Sequence, residues 1–94
     1  MAEKGEVRVF VDNERVRVSG WRLAPGTTTG YHRHEFDYVV VPMLDGVLRL
    51  VAQDGSESFA NLKGGEPYFR QAGVEHETFN GNDFEFSLIE VEIK

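Results

Sequence analysis

The chain contains no cysteine, which excludes disulfides, thiolate metal ligands and thiol nucleophiles together. That absence is compatible with a reducing cytoplasm. The segment Met1 to Glu6 also lacks the apolar stretch of a signal peptide, so the expected location is cytoplasmic. Positive charge is scarce as well: ten Lys and Arg stand against sixteen Asp and Glu, for a net charge of −6. Binding nucleic acid or an anionic membrane requires a basic face to meet phosphates, so neither is an expected partner. Long apolar runs are missing too. The longest, Val39 to Leu44, contains Pro42 and is far too short to span a bilayer.

What is present suffices for one packed domain. Hydrophobic residues make up 40% of the 94, and seven Phe with one Trp supply large apolar surfaces. The expectation is a single domain over residues 1–94, with residues 1–5 a loose N-terminal tail. At this length a lone core is only marginally sufficient, and burying one flank against a second copy would help; a homodimer is therefore expected.

Alternation, not a helical period, runs along the chain. Val7, Val9 and Val11 alternate with Glu6, Arg8 and Phe10 up to a stop at Asp12-Asn13. Val16 and Val18 alternate with Arg15 and Arg17, and Pro25-Gly26 closes that strand. Tyr31 to Met43 reads as one strand, with Pro42 at an edge or a bulge because proline cannot donate a ladder hydrogen bond. Asp45-Gly46 and Asp54-Gly55 are hairpin signals, and Asn80-Gly81-Asn82-Asp83 is a further tight turn before a final strand from Phe84 to Ile93. Eight to ten short strands with such regular turns indicate an all-β fold, an antiparallel barrel or jelly roll.

All three histidines fall in two short segments. The first reads Gly26, five residues, His32, Arg33, His34, and runs on to Gly46; the second reads Gly65, seven residues, Gly73, two residues, His76, three residues, Asn80. Residues two apart on a strand share a face, so His32 and His34 project together, roughly 6.5–7 Å apart at the backbone. His76 on a neighbouring strand would complete a three-histidine site for a divalent transition metal. By the same parity Phe36 and Tyr38 join that face, while Arg33, Glu35 and Asp37 form a solvated one. Imidazole suits Fe, Zn, Ni and Cu alike, and Mn is admitted as well, so the ion is not named by its ligands.

These two motifs resemble those of the cupin superfamily: Gly, five residues, His-x-His, then Glu and Gly, followed by Gly, Pro-x-Gly, His and Asn. The resemblance spans Gly26 to Asn80 and implies an antiparallel cupin-type jelly-roll β-barrel with His32, His34 and His76 as metal ligands. Two departures stand out. The family's glutamate falls at Tyr38 or Val39, and its proline falls at Gln71. Without the carboxylate, an ion held by neutral imidazoles keeps its full charge, which favours a small anionic ligand. Three-histidine cupin sites resembling this one occur in thiol and diketone dioxygenases. The resemblance thus implies a metal-dependent, dioxygenase- or oxidoreductase-like enzyme, with Phe36, Tyr38 and Gln71 as substrate-contacting candidates. Tyr38 would then act as a proton donor beside the ion, since its phenol is a donor near neutral pH. The competing reading is a non-catalytic small-molecule carrier or sensor whose metal is structural or absent. Asn80 and Gly81 are read as turn formers, and Trp21, Arg22, Tyr68 and Arg70 receive no role.

Overall fold

The computed structural model describes residues 3–94. Nine strands run among the described residues: β1 (Glu6–Asp12), β2 (Val16–Leu23), β3 (Thr28–Arg33), β4 (Asp37–Pro42), β5 (Gly46–Val51), β6 (Glu57–Leu62), β7 (Tyr68–Arg70), β8 (Glu75–Asn80) and β9 (Phe86–Ile93). They form two antiparallel sheets, ordered β1-β2-β9-β4-β7 and β3-β8-β5-β6, which face one another as a jelly roll. No described segment is helical, and none is a helix long and apolar enough to cross a membrane.

The expected strand from Tyr31 to Met43 is in fact two. β3 belongs to the four-stranded sheet and ends at Arg33; β4 belongs to the five-stranded sheet and begins at Asp37. The chain changes sheets between them, so side-chain parity restarts there. Asp45-Gly46 is likewise no hairpin, because β4 pairs with β9 and β7 while β5 pairs with β6 and β8. It turns a corner between sheets instead. Gly46 is required there by a close approach: a Cβ would lie 2.6 Å from the Phe86 ring. Asp54-Gly55 does close the expected hairpin, β5 to β6, with the Gly55 N–H donating to the Ala52 carbonyl. Glu3 and Gly5, expected to lie in a loose tail, are tied down. The Glu3 carbonyl accepts from the Thr28 N–H at 3.0 Å, and the Gly5 N–H donates to the Thr28 carbonyl at 2.9 Å. Residues 1 and 2 of that tail fall outside the described residues.

The core lies toward one end of the roll. Leu23, Val40, Leu48, Leu62, Phe86 and Leu88 meet there from both sheets and are buried together, as their apolar surface dictates. Asn80, read as a turn former, is a buried clamp at that end, 4% exposed. Its amide N–H groups donate to the Leu23 and Phe84 carbonyls, both at 2.8 Å, and its oxygen accepts from the Asn82 backbone and side chain. The opposite end is open, and there the five-stranded sheet inverts the usual arrangement. Its inward row carries Arg17, Ser19, Glu90 and Glu92, while Val16, Val18, Val91 and Ile93 alternate with them on the outside.

Candidate metal centre

His32 sits on β3 directly opposite His76 on β8. His34 lies one residue beyond β3, yet its backbone is still held, its N–H donating to the Val74 carbonyl at 2.9 Å and its carbonyl accepting from the Gly73 N–H at 2.8 Å. Gly73 makes that turn with φ 96°, which explains why glycine is needed there. Three backbones pinned in this way aim three rings at one point. His32 Nε2 and His34 Nε2 are 2.8 Å apart, His34 Nε2 and His76 Nε2 3.3 Å, and the potential ligand atoms of all three lie within 4.8 Å of one another.

These residues fit a metal ion. Two imidazole nitrogens each about 2.0–2.1 Å from one ion stand about 2.8–3.4 Å apart for angles between square and tetrahedral. The short separations match that window. His32 Nδ1 lies 2.8 Å from the Gly30 carbonyl, an acceptor only, so Nδ1 carries the proton and Nε2 presents a lone pair to the centre. Protonation is also resisted. Burial, followed by the proximity of His32, pushes the pKa of His34 and of His76 down to about 4. Both are neutral near pH 7, as ligation requires.

Among the described residues no carboxylate joins the group. Tyr38, where the family's glutamate was expected, is 2% exposed and lies flat on His34, ring centroids 3.9 Å apart and planes 17° from parallel. Burial, then the charge of Glu90, pushes its phenol up to about 12, so it stays protonated. Of the other substrate-contacting candidates, Phe36 and Gln71 lie outside the lining of the cavity over the histidines, and Gln71 is exposed. Phe36 was placed by strand parity, which fails because the chain has already left β3; Gln71 lies in the turn after β7. Arg33 and Glu35, expected on a solvated face, stand at the cavity rim.

That cavity, about 460 Å³, is also lined by residues that received no role above. Trp21, Tyr68 and Arg70 line it, whereas Arg22 points elsewhere and pairs with Glu85. Arg17, Glu90 and Glu92 were missed altogether, because an alternating Val/Ile strand ordinarily turns its charges to water. Arg17 grips Glu92 through two hydrogen bonds of 2.8 Å, Nε to Oε1 and Nη2 to Oε2. Arg70, by contrast, has no carboxylate partner among the described residues. Its positive charge helps to lower the pKa of both His34 and His76, so it stands within the field of the centre. Glu90 has no cation of its own either, and burial, then the charge of Glu92, pushes its pKa up to about 7.

A jelly roll with three convergent histidines from these two segments defines a small cupin, and the chain belongs to the cupin superfamily. It is 51% identical over 86 residues to the beta-alanine degradation protein BauB of Pseudomonas aeruginosa, covering 92% of this chain and 90% of that protein. A crystallised cupin domain from Bordetella pertussis is 46% identical and superposes with a TM-score of 0.94, covering all of this chain and 97% of that one. A double-stranded β-helix protein from Klebsiella pneumoniae, 19% identical at a TM-score of 0.77 over 96% of this chain and 76% of that one, shares the fold alone. No protein-family model matches the chain.

Proposed function

We propose that this cupin is a metal-dependent enzyme acting on a small anionic organic molecule, a short carboxylic acid or its oxo derivative. The observation that carries the reading is the pairing, in one cavity, of a three-imidazole centre with an arginine, Arg70, that has no carboxylate of its own. His32, His34 and His76 would hold the ion, which when bound supplies a Lewis-acid or oxygen-activating centre. A site with three protein ligands leaves coordination positions open, the arrangement of catalytic rather than structural metal. Arg70 offers a planar fork suited to a carboxylate, and Trp21, Tyr68 and Leu50 supply apolar walls around it. The similarity to a protein of β-alanine degradation supports a three-carbon acid as the size class, because β-alanine itself is a short carboxylate.

Iron is the ion we favour, with dioxygenase-like chemistry, by likeness of the three-histidine set to thiol and diketone dioxygenases. The test is to load the protein with ferrous iron, zinc, manganese, nickel or copper in turn. Each form is offered β-alanine, 3-oxo acids and 1,3-diketones while oxygen uptake and product formation are followed. Turnover with one ion, abolished in His34→Ala, is the expected result. Ligand-induced melting shifts without turnover by any form would replace the enzyme by a carrier or sensor.

The reading includes a homodimer in the cytoplasm. Support for the dimer comes from the outer face of the five-stranded sheet, where Phe10 is 52% and Phe69 54% exposed beside Val16, Val18 and Val91.

A further inference from the structure

Glu90 is a half-buried acid in the cavity wall that the three-histidine group does not use. It lies on β9 opposite Ser19 of β2 and Val40 of β4, and its side chain lines the cavity. The groups that share its cavity come from both sheets. On its own strand stands Glu92, already neutralised by Arg17 of β2. From β2 comes Trp21, whose indole N–H, together with Arg17, partly offsets the cost of ionising Glu90. From β4 and β7 come the phenols of Tyr38 and Tyr68, both raised in pKa in part by the charge of Glu90, and from β7 also comes Arg70. The opposite sheet contributes Leu48, Leu50, Thr78, His76, His32 and Arg33, and the segment just after β3 adds His34 and Glu35. No described cation forms an ion pair with Glu90, and a carboxylate partly withdrawn from water without one is costly to ionise.

Such a group responds to what enters the cavity. An anion arriving beside an ionised Glu90 meets a like charge in a site of low dielectric, and the repulsion is relieved if Glu90 takes up a proton. The resulting carboxylic acid donates a hydrogen bond to the anion's oxygen, as an ionised carboxylate cannot.

We propose that Glu90 touches the bound ligand and carries the proton that accompanies it, so that a small carboxylate or enolate binds together with one proton from solvent. The balance is simple: the Glu90 carboxylate gains a proton from water, no covalent bond of the ligand is made or broken, and the O–H is shared with a ligand oxygen. The inference rests on the reading of the cavity as an anion site. It adds a second contact, on β9, to the one offered by Arg70.

The experiment uses the zinc-loaded full chain and malonate as probe. Isothermal titration in two buffers of different protonation enthalpy counts the protons bound with each malonate. At about pH 8 the wild type is expected to take up one proton more than Glu90→Gln. Its affinity should fall about tenfold per pH unit above pH 7, while that of the variant stays nearly flat. The variant, which always presents a neutral donor, should then bind malonate about tenfold more tightly than wild type at about pH 8. An infrared difference spectrum on adding malonate should show a protonated-carboxyl band in wild type and none in Glu90→Gln. Glu90→Asp, which keeps a carboxyl, should retain the extra proton and serves if the glutamine variant does not fold. Binding with equal proton counts in wild type and Glu90→Gln would overturn the role of Glu90 and leave the anion site standing. Absence of malonate binding to wild type would overturn both.

Discussion

The ring of Tyr38 rests flat on that of His34, 3.9 Å between centroids and 17° from parallel, at one of the two positions, Tyr38 and Val39, where the resemblance to cupin motifs implied a glutamate. The stack buttresses the ring of His34, whose backbone is already pinned just beyond the end of β3 by Val74 and Gly73. Tyr38 thus serves the centre through its ring face, and its phenol is left protonated.

Tyr38→Phe, which keeps the ring, should therefore leave metal affinity within about threefold, because no ligand atom is removed. Tyr38→Ala should weaken it by about 10–100-fold, the usual cost of freeing a ligand from its support. Competition against a chromophoric chelator measures both. If Tyr38→Phe loses metal as completely as His34→Ala, the phenol oxygen is a ligand after all.

The metal-free protein should lose stability as pH falls from about 6.5 to about 4. His34 and His76 carry pKa values lowered to about 4, so across that window the unfolded chain binds more protons than the folded one and stability rises with pH. Undiscounted, the two shifts correspond to about 7 kcal/mol, which solvent screening at the open end of the roll brings down to about 2–4 kcal/mol. Glu90 works the other way: its pKa is raised to about 7 from 4.5, so its contribution is lost as pH rises through that range. Urea midpoints at several pH values, for wild type and for Glu90→Gln, separate the two trends. The variant should show only the rise with pH. A flat profile for it would contradict the burial of the two histidines.

Asn80→Ala should destabilise the fold by about 2–4 kcal/mol without touching the metal site. The substitution strips donors from the Leu23 and Phe84 carbonyls and an acceptor from Asn82, all at the closed end of the roll. Denaturation of the variant with saturating zinc should show the loss, and zinc stoichiometry should stay unchanged. A loss below about 1 kcal/mol would mean that water replaces the clamp.

Phe69→Glu decides the dimer. Phe69 is 54% exposed, so the change should cost an isolated chain little, but a charge there would split two copies packed sheet to sheet. Light scattering should give twice the chain mass for wild type and the single mass for the variant. A monomeric wild type would remove the proposed assembly.

Read along the chain, local signals were dependable where the information was itself local. Turn glycines, the Asp54-Gly55 hairpin and the period-2 runs depend on the φ preferences and alternation of neighbouring residues, and they placed nearly all nine strands. The spacing of His32, His34 and His76 likewise marked the three-histidine group, because the three lie in two short segments on or beside paired strands. Parity failed at Phe36, where the chain passes from one sheet to the other within a few residues and the alternation starts afresh.

The sequence by itself determined the all-β character and the three histidines, since both follow from residue types at fixed short spacings. Only the tertiary structure decided what surrounds the histidines. Arg17, Arg70, Glu90 and Glu92 reach the cavity because β2, β7 and β9 turn polar side chains inward at its open end. Alternation tells which residues share a face of a strand. Which face the roll encloses depends on the curvature and pairing of all the strands together.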